Sequence, residues 1–412
     1  MDSSYSHPKL RWPIDIRLHD AGGQQVLVLQ CPVGISEKPL LLVPAVGPIV
    51  SLFDGTVSRE EVLARFAPQG LTEKTLVELI TLLDDHLFLA NGRFFAAGQE
   101  AKEAFERAEV RAPALAGRSY PAEQQRLAAL IDSYLAQASA EADSLRSVAC
   151  LVAPHIDYQR GGGCYGRTYP RLRGESADLY VLIGTAHQYS ERLFHLCAKD
   201  FSSPLGTLAC DVEFVTKVAA QHGIKRSFEG QFLHKREHSL ELQLPFLSSV
   251  QPTAMIAPVL VGSFHRAVVE QRAPTELEEY ESFVGALCEA IRAREAEGKR
   301  VCFVAGVDMA HVGMSFGDTK PLTPEKMEQV RARDMEYLKA LENADKESLF
   351  AHICQDNDER RICGFPTMYT ILDLFERLGT KPDVELISYE QAVDYPGECA
   401  VTFAGMVMRQ AQ

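Results

Sequence analysis

Three histidines stand at matching places in the sequence. The run Ser147–Ala153 is followed by Pro154-His155, and Leu179–Ile183 by Gly184-Thr185-Ala186-His187. Val301–Ala305 leads into Gly306-Val307-Asp308-Met309-Ala310-His311. Each run is continuous and apolar, the pattern of a strand covered on both faces. Three of the 12 histidines thus fall just past the carboxyl ends of expected strands. In an open α/β sheet that edge is where ligands bind. Imidazole is the commonest side-chain metal ligand and the usual proton carrier near neutral pH. Two imidazoles that hold an ion need a third ligand, and Cys363 offers one. It lies between the basic pair Arg360-Arg361 and the turn Gly364-Phe365-Pro366, where cations favour thiolate and coordination removes the proton outright.

Two further groups belong to this chemistry. Asp308 stands three residues before His311, placed to orient that histidine or to take part in proton transfer. In Glu237-His238-Ser239-Leu240-Glu241-Leu242-Gln243-Leu244-Pro245, His238 and Glu241 are three apart and share a helix face. The pair reads either as hydrogen-bonding support for a metal-bound imidazole or as a surface ion pair. Two other motifs lack their context. Gly161-Gly162-Gly163-Cys164-Tyr165-Gly166 fits a dinucleotide fingerprint, but His155–Arg160 separate it from its strand and no acidic residue ends the next one. Its glycines read instead as close backbone approach at the site rim. Gly313-Met314-Ser315-Phe316-Gly317 lies too far beyond a strand to be a nucleophile elbow.

Four apolar runs (the three above and Met255–Val261) alternate with helical patterns such as Leu127, Leu130, Ile131, Tyr134 and Leu135. That alternation indicates an α/β domain built on a largely parallel sheet. Val384–Ser388 and Ala400–Met408 would extend it. This body is expected over residues 106–412.

The first 105 residues read as a separate α+β module. Ile14–Leu18 and Gln25–Gln30 suggest strands. Ser58 with Glu61 forms a capping-box pattern, and Thr72 precedes Leu76, Leu79, Ile80 and Leu83 at helical spacing. Asn91-Gly92 between Leu87–Ala90 and Arg93–Ala96 predicts a hairpin, and Gly98–Arg111 a helical linker. Helix, helix, hairpin is the order of a winged helix. Residues 1–98 hold 8 Lys/Arg against 11 Asp/Glu, which argues against DNA and for a peptide or protein partner.

Composition sets the outer bounds. Lys plus Arg is 42 and Asp plus Glu is 56, a formal charge of −14 that opposes general binding to nucleic acid or anionic membranes. No apolar stretch is long enough for a membrane helix, and Met1–Pro8 lacks a signal core. Ten cysteines without a C-x-x-C pair indicate free thiols in a reducing cytoplasm.

Read in order, these segments resemble the Memo family, system protein B of the AMMECR, Memo and radical SAM group. Ala116-Gly117-Arg118-Ser119-Tyr120-Pro121 is similar to its opening A-G-x-x-Y segment. Ala153-Pro154-His155-Ile156-Asp157-Tyr158 is similar to A-P-H-x-x-Y, and Gly184-Thr185-Ala186-His187 to G-x-S/T-H. The Glu237–Pro245 run resembles E-H-S-x-E-x-x-L-P. Asp308–Gly313 resembles S-D-x-x-H-x-G, and Ile362-Cys363-Gly364 resembles I-C-G. The resemblance implies a fold like class III extradiol dioxygenases, with His155, His187 and Cys363 at metal-ligand positions and His311 as the acid-base histidine. It implies a divalent ion, Fe²⁺ first with copper or zinc in competition, and AMMECR-type and radical SAM partners. Residues 1–105 resemble the PqqD-like winged helix, which implies peptide or partner binding. The chain departs from the family pattern at Ile156–Gly162, where Asp157 and Arg160 are expected to alter pocket charge. It also departs at Val307, in place of a serine, and at Phe365-Pro366, in place of R-H-P.

Overall fold

The computed structural model describes residues 3–20, 22–137, 147–174 and 177–410. The chain divides into two compact units, Met1–Ala108 and Glu109–Gln412.

The smaller unit opens with a three-stranded antiparallel sheet of β1 (Asp15–Asp20), β2 (Gln25–Gln30) and β3 (Leu40–Leu42). Helices Arg59–Phe66, Glu73–Asp85 and Gly92–Arg107 follow. Ser58 and Glu61 close the capping box, and the Thr72 side chain caps the second helix. Leu27, Leu29, Val62, Leu76, Ile80 and Leu83 form the core. The expected hairpin at Asn91-Gly92 is not formed. Asn91 instead caps the third helix, accepting the Phe94 N–H at 3.2 Å, while its amide donates to buried Asp84 at 2.6 Å. Tyr5 and Arg93 also donate to Asp84. An Asn-Gly pair serves a turn or a helix start equally well, and this carboxylate 7 residues back decides for the helix.

The larger unit is built on an 11-stranded sheet. Its strands are β4 (Val110–Arg111), β5 (Val148–Ala153), β6 (Leu179–Thr185), β7 (Phe194–Leu196), β8 (Asp200–Ser203), β9 (Gly206–Cys210), β10 (Met255–Val261), β11 (Val301–Gly306), β12 (His311–Val312), β13 (Asp383–Asp394) and β14 (Cys399–Arg409). The centre runs β5-β11-β6-β10, all parallel, as the apolar runs require. β14 flanks β5 antiparallel and pairs in turn with β13, so the sheet is mixed. Val181, Ile183, Val259, Val261, Phe303 and Ala305, alternate residues of three central strands, join one core cluster. The same cluster takes in Phe214, Val218, Phe283, Ile291, Met368 and Leu372 from helices Val212–His222, Glu278–Ala296 and Phe365–Arg377.

The glycine-rich segment lies inside the helix Tyr158–Thr168 rather than on a rim loop. A Cβ on Gly162 would lie 2.2 Å from the Tyr134 ring, and one on Gly166 would lie 2.3 Å from the Tyr134 carbonyl oxygen. The run therefore lets two helices approach closely, with Gly162 against the Tyr134 ring and Gly166 against the Tyr134 backbone. Asp157 caps this helix and pairs with Arg160 at 2.6 Å, so the two charges cancel at the helix start.

Candidate metal centre

Register brings the candidate residues together. Gly306 of β11 pairs with Ala153 of β5 on one side and with Gly184 of β6 on the other. The three strands thus end level. His155 lies two residues past that line on β5, Asp308 two residues past it on β11, and His187 three residues past it on β6.

The ring centroids of His155, His187 and His238 are 4.4 to 5.0 Å apart. A nitrogen from each lies within 4.8 Å of the other two. Each ring is held by Nδ1. That of His155 is 2.9 Å from the Gly306 carbonyl oxygen, and those of His187 and His238 are 3.0 and 3.1 Å from the same oxygen of Glu237, Oε1. A carbonyl or ionised carboxylate only accepts, so Nδ1 carries the proton and Nε2 is left with its lone pair. Orienting partners of this kind are what metal-binding imidazoles use.

Cys363 completes the group. Its Sγ is 3.2 Å from His155 Nε2, and Thr185 Oγ1 fixes the loop by donating to the Cys363 carbonyl at 3.0 Å. A nitrogen and a sulfur bound to one tetrahedral ion stand about 3.6 Å apart when the bonds are about 2.1 and 2.3 Å. The observed 3.2 Å is a thiol–imidazole hydrogen bond, and the two atoms would part by about 0.4 Å to share an ion. Asp308 accepts the His155 backbone N–H at 2.8 Å and lies 3.6 Å from His155 Nε2. His311 is held by its Nδ1, 3.0 Å from the Met309 carbonyl and 3.1 Å from that of Arg361. It makes no hydrogen bond to the other rings.

The charges follow from burial and neighbours. Burial, helped by His187 and His238, drives the His155 pKa well below the usual imidazole value. Burial, then His187, lowers His311 to about 4. Burial pushes Asp308 up to about 7 and, with the Asp308 charge adding, lifts the Cys363 thiol well above its ordinary range. For Glu237 burial is outweighed by His187 and His238, and its pKa falls well below normal. For His238 burial is outweighed by Glu237, and its pKa rises. A divalent cation would supply the charge that ionises the thiol.

The Glu237–Pro245 run does more than its spacing announced, and each polar residue has its own task. Glu237 orients His187 and His238 and also accepts the backbone N–H groups of His187, His238 and Ser239. Ser239 donates to the Thr185 carbonyl at 2.9 Å, and Gln243 to that of Pro154 at 2.9 Å. Both ties hold strand ends that carry a histidine. The turn sits flat on the sheet because Gly306 and Gly184 lie beneath it. A Cβ on Gly306 would fall 2.2 Å from the Ser239 carbonyl oxygen, and one on Gly184 would fall 2.6 Å from Ser239 Oγ.

Glu241 and His238 do not act as one pair. Glu241, 0% exposed, makes no bond to an imidazole. It ion-pairs with Arg111, itself 1% exposed, and accepts from the Ala114 N–H at 3.0 Å, the Leu115 N–H at 2.7 Å and the Tyr120 hydroxyl. Arg111 also donates to the carbonyls of His234 and Glu237. The segment 111–120 is thereby strapped to the turn that carries Glu237 and His238. Glu237, Ser239, Gln243, Arg111 and Tyr120 had no role in the sequence reading. For the run itself, the available signal is four hydrogen-bonding side chains at alternate positions from Glu237 to Gln243, with His238, Leu240 and Leu242 between them.

A cavity of about 230 Å³ adjoins the group, lined by His187 and Cys363 together with Phe264, His265, Arg361 and Phe365. Ser315 of the second motif set aside donates to the Gly397 carbonyl at 2.7 Å, a structural bond in a short turn.

A mixed α/β sheet whose level parallel ends carry His155 and His187, with His238 and Cys363 brought to them by a helical turn and a loop, defines a class of protein with a cluster of imidazoles at the carboxyl edge of the sheet. The sequence comparisons narrow the class. A family model for Memo-like proteins matches residues 111–407, and the chain belongs to that family. It is similar to a MEMO1 family protein of Aquifex aeolicus (strain VF5), 28% identical over 383 residues that cover 92% of this chain and 95% of that one. It is similar to the MEMO1 family protein TTHA0924 of Thermus thermophilus, 28% identical over 78% of this chain and 90% of that one. The MEMO1 family protein TK1477 of Thermococcus kodakarensis is 25% identical and is matched along 100% of its length by 73% of this chain. A match over 92% of the chain must reach into Met1–Ala108, so the Aquifex relative aligns with part of the smaller unit as well.

Proposed function

We propose that this chain is a non-haem metal-binding protein that acts as a metal-dependent oxidoreductase related to the dioxygenases. His155, His187 and Cys363 would hold a divalent transition metal, Fe²⁺ first, with copper or zinc as the alternatives that a nitrogen and sulfur set admits. The observation that carries this reading is the convergence of Nδ1-anchored imidazoles, with the Cys363 thiol 3.2 Å from His155, beside a cavity. A bound ion would supply Lewis acidity and, if redox-active, electrons.

The chain's own residues do the rest. His311, held through Nδ1, keeps Nε2 free to take a proton from a ligand bound at the metal, and its lowered pKa keeps it neutral at pH 7 and able to accept. Asp308 fixes the His155 backbone and offers a second oxygen near the same ring. Phe264 and Phe365 give the cavity an apolar wall. All ten cysteines are free thiols, which supports a reducing compartment such as the cytoplasm.

The test is metal analysis of anaerobically purified protein. About one equivalent of a transition metal is expected, falling below about 0.2 in His155→Ala. A wild-type content already below that level ends the proposal.

One observation favours a second reading, a scaffold that works with AMMECR-type and radical SAM partners. The smaller unit exposes Trp12, Ile16, Leu18, Leu41, Val43 and Phe95, large apolar side chains of the kind that bind partners. Co-expression with such a partner, comparing wild type with Ile16→Asp/Leu18→Asp, tests it. Equal co-purification rules out this surface.

A further inference from the structure

We infer that His238 is itself a metal-ligating residue, so that the centre offers three imidazoles and one thiol to a single ion. The inference rests on the metal-binding reading above and changes its donor set. Three observations carry it. His238 and His187 are held in the same way, each by Nδ1 on Glu237 Oε1, at 3.1 and 3.0 Å. Among the described residues, neither Nε2 has a hydrogen-bond partner. A nitrogen of each of His155, His187 and His238 lies within 4.8 Å of the other two, so His238 stands in one group with both candidate imidazole ligands. A histidine that served only to orient a neighbour would spend a nitrogen on that neighbour's ring, and His238 does not.

The consequence concerns access to the ion. Four protein donors fill a tetrahedral site, whereas three leave a position for substrate. For a ligand to reach the ion, one donor must leave. His155 is buried while His187 and His238 are not, and of those two His238 lies on a single helical turn of 4 residues, so His238 is the donor free to go. The site is closed with His238 bound and open with it released.

Cobalt(II) binding to the full chain tests this without turnover. Its ligand-field bands report coordination, and a thiolate charge-transfer band reports Cys363. His238→Gln keeps a donor for Glu237 but loses the imidazole, and His238→Ala leaves a space. Both are expected to weaken cobalt binding about tenfold or more and to shift the ligand-field bands, with the charge-transfer band retained. Added imidazole is expected to restore the wild-type spectrum in His238→Ala. The inference falls if His238→Gln matches wild type in affinity and spectrum while His187→Ala loses cobalt. It also falls if affinity drops but the bands do not move and imidazole does not rescue, which would mark a structural role. If the wild-type chain binds no cobalt, the metal-binding reading falls with it.

Discussion

Replacing Glu241 by glutamine probes the strap. The change keeps the shape and removes the charge. Glu241 now receives four donors, two on each oxygen: Arg111 and the Ala114 N–H on Oε2, and the Leu115 N–H and Tyr120 hydroxyl on Oε1. An amide turns one of those oxygens into an N–H₂ group. If it replaces Oε2, the guanidinium of Arg111, 1% exposed, loses its acceptor. If it replaces Oε1, the Leu115 N–H faces another donor, while the Tyr120 hydroxyl can rotate and accept. Either way Arg111 loses its counter-charge in a dry setting. Breaking a buried pair from one side costs about 3–5 kcal/mol. The amide still satisfies two of four donors, so about 3 kcal/mol is expected for Glu241→Gln and the full range for Arg111→Ala. Arg111→Met/Glu241→Leu removes both charges and leaves no uncompensated ion. It should cost clearly less than the two single changes added together, with a coupling of about 2 kcal/mol or more. Urea unfolding of the larger unit, followed at matched pH and salt, reads all the variants. Additivity within about 0.5 kcal/mol would refute the coupling and with it the account of the strap.

Four further outcomes are expected. Gly306→Ala forces its Cβ onto the Ser239 carbonyl at 2.2 Å and should cost about 1–3 kcal/mol; a melting temperature equal to wild type refutes the close approach. Tyr120→Phe removes one hydrogen bond to an ionised carboxylate and should cost about 1.5–3 kcal/mol by the same urea assay. Asn91→Ala removes a helix cap and a donor to Asp84, so the smaller unit should lose about 1–2 kcal/mol; an unchanged denaturation midpoint for that unit contradicts the helix start at Gly92. Stability of the metal-free chain should fall as pH drops from about 6.5 towards 4. Burial lowers His195, His222, His311 and His352 to about 4 and His234 to about 3, so across this window the unfolded chain takes protons that the folded chain refuses. Asp308, Asp358 and His238, whose pKa values are raised, run the other way and are outnumbered; a urea midpoint that is flat or rises between pH 7 and pH 5 overturns the sign.

The central strands were legible because a parallel strand buried on both faces has no polar position to blur its ends. Met255–Val261 matches from end to end, and Leu179–Ile183 grows only by Gly184 and Thr185. The position of His155, His187 and Asp308 at one edge followed from those ends. What sequence did not disclose depends on contacts far apart in the chain. Asn91-Gly92 has the same letters in a hairpin and at a helix start, and Asp84 makes the choice. The glycines at 161–166 signalled close approach, but only packing identifies Tyr134 as what approaches. The i, i+3 spacing put His238 and Glu241 on one face, yet the turn is a single one, and Arg111, 130 residues away, claims the carboxylate. Glu237 stands next to His238 in the sequence. Its role became visible only when β6 placed His187 within reach.

The turn from Glu237 to Gln243 can be regarded as a cassette. It brings one candidate ligand and the carboxylate that aims two rings, and it brings the ties that fasten two strand ends. To move it to another sheet, a designer would have to carry along two bare glycines beneath it and an arginine-tyrosine strap above it. Any one of these pieces transplanted alone would leave a charge unpaired or a carbonyl overrun. Among relatives of this chain, those positions should therefore be exchanged as a set or kept as a set.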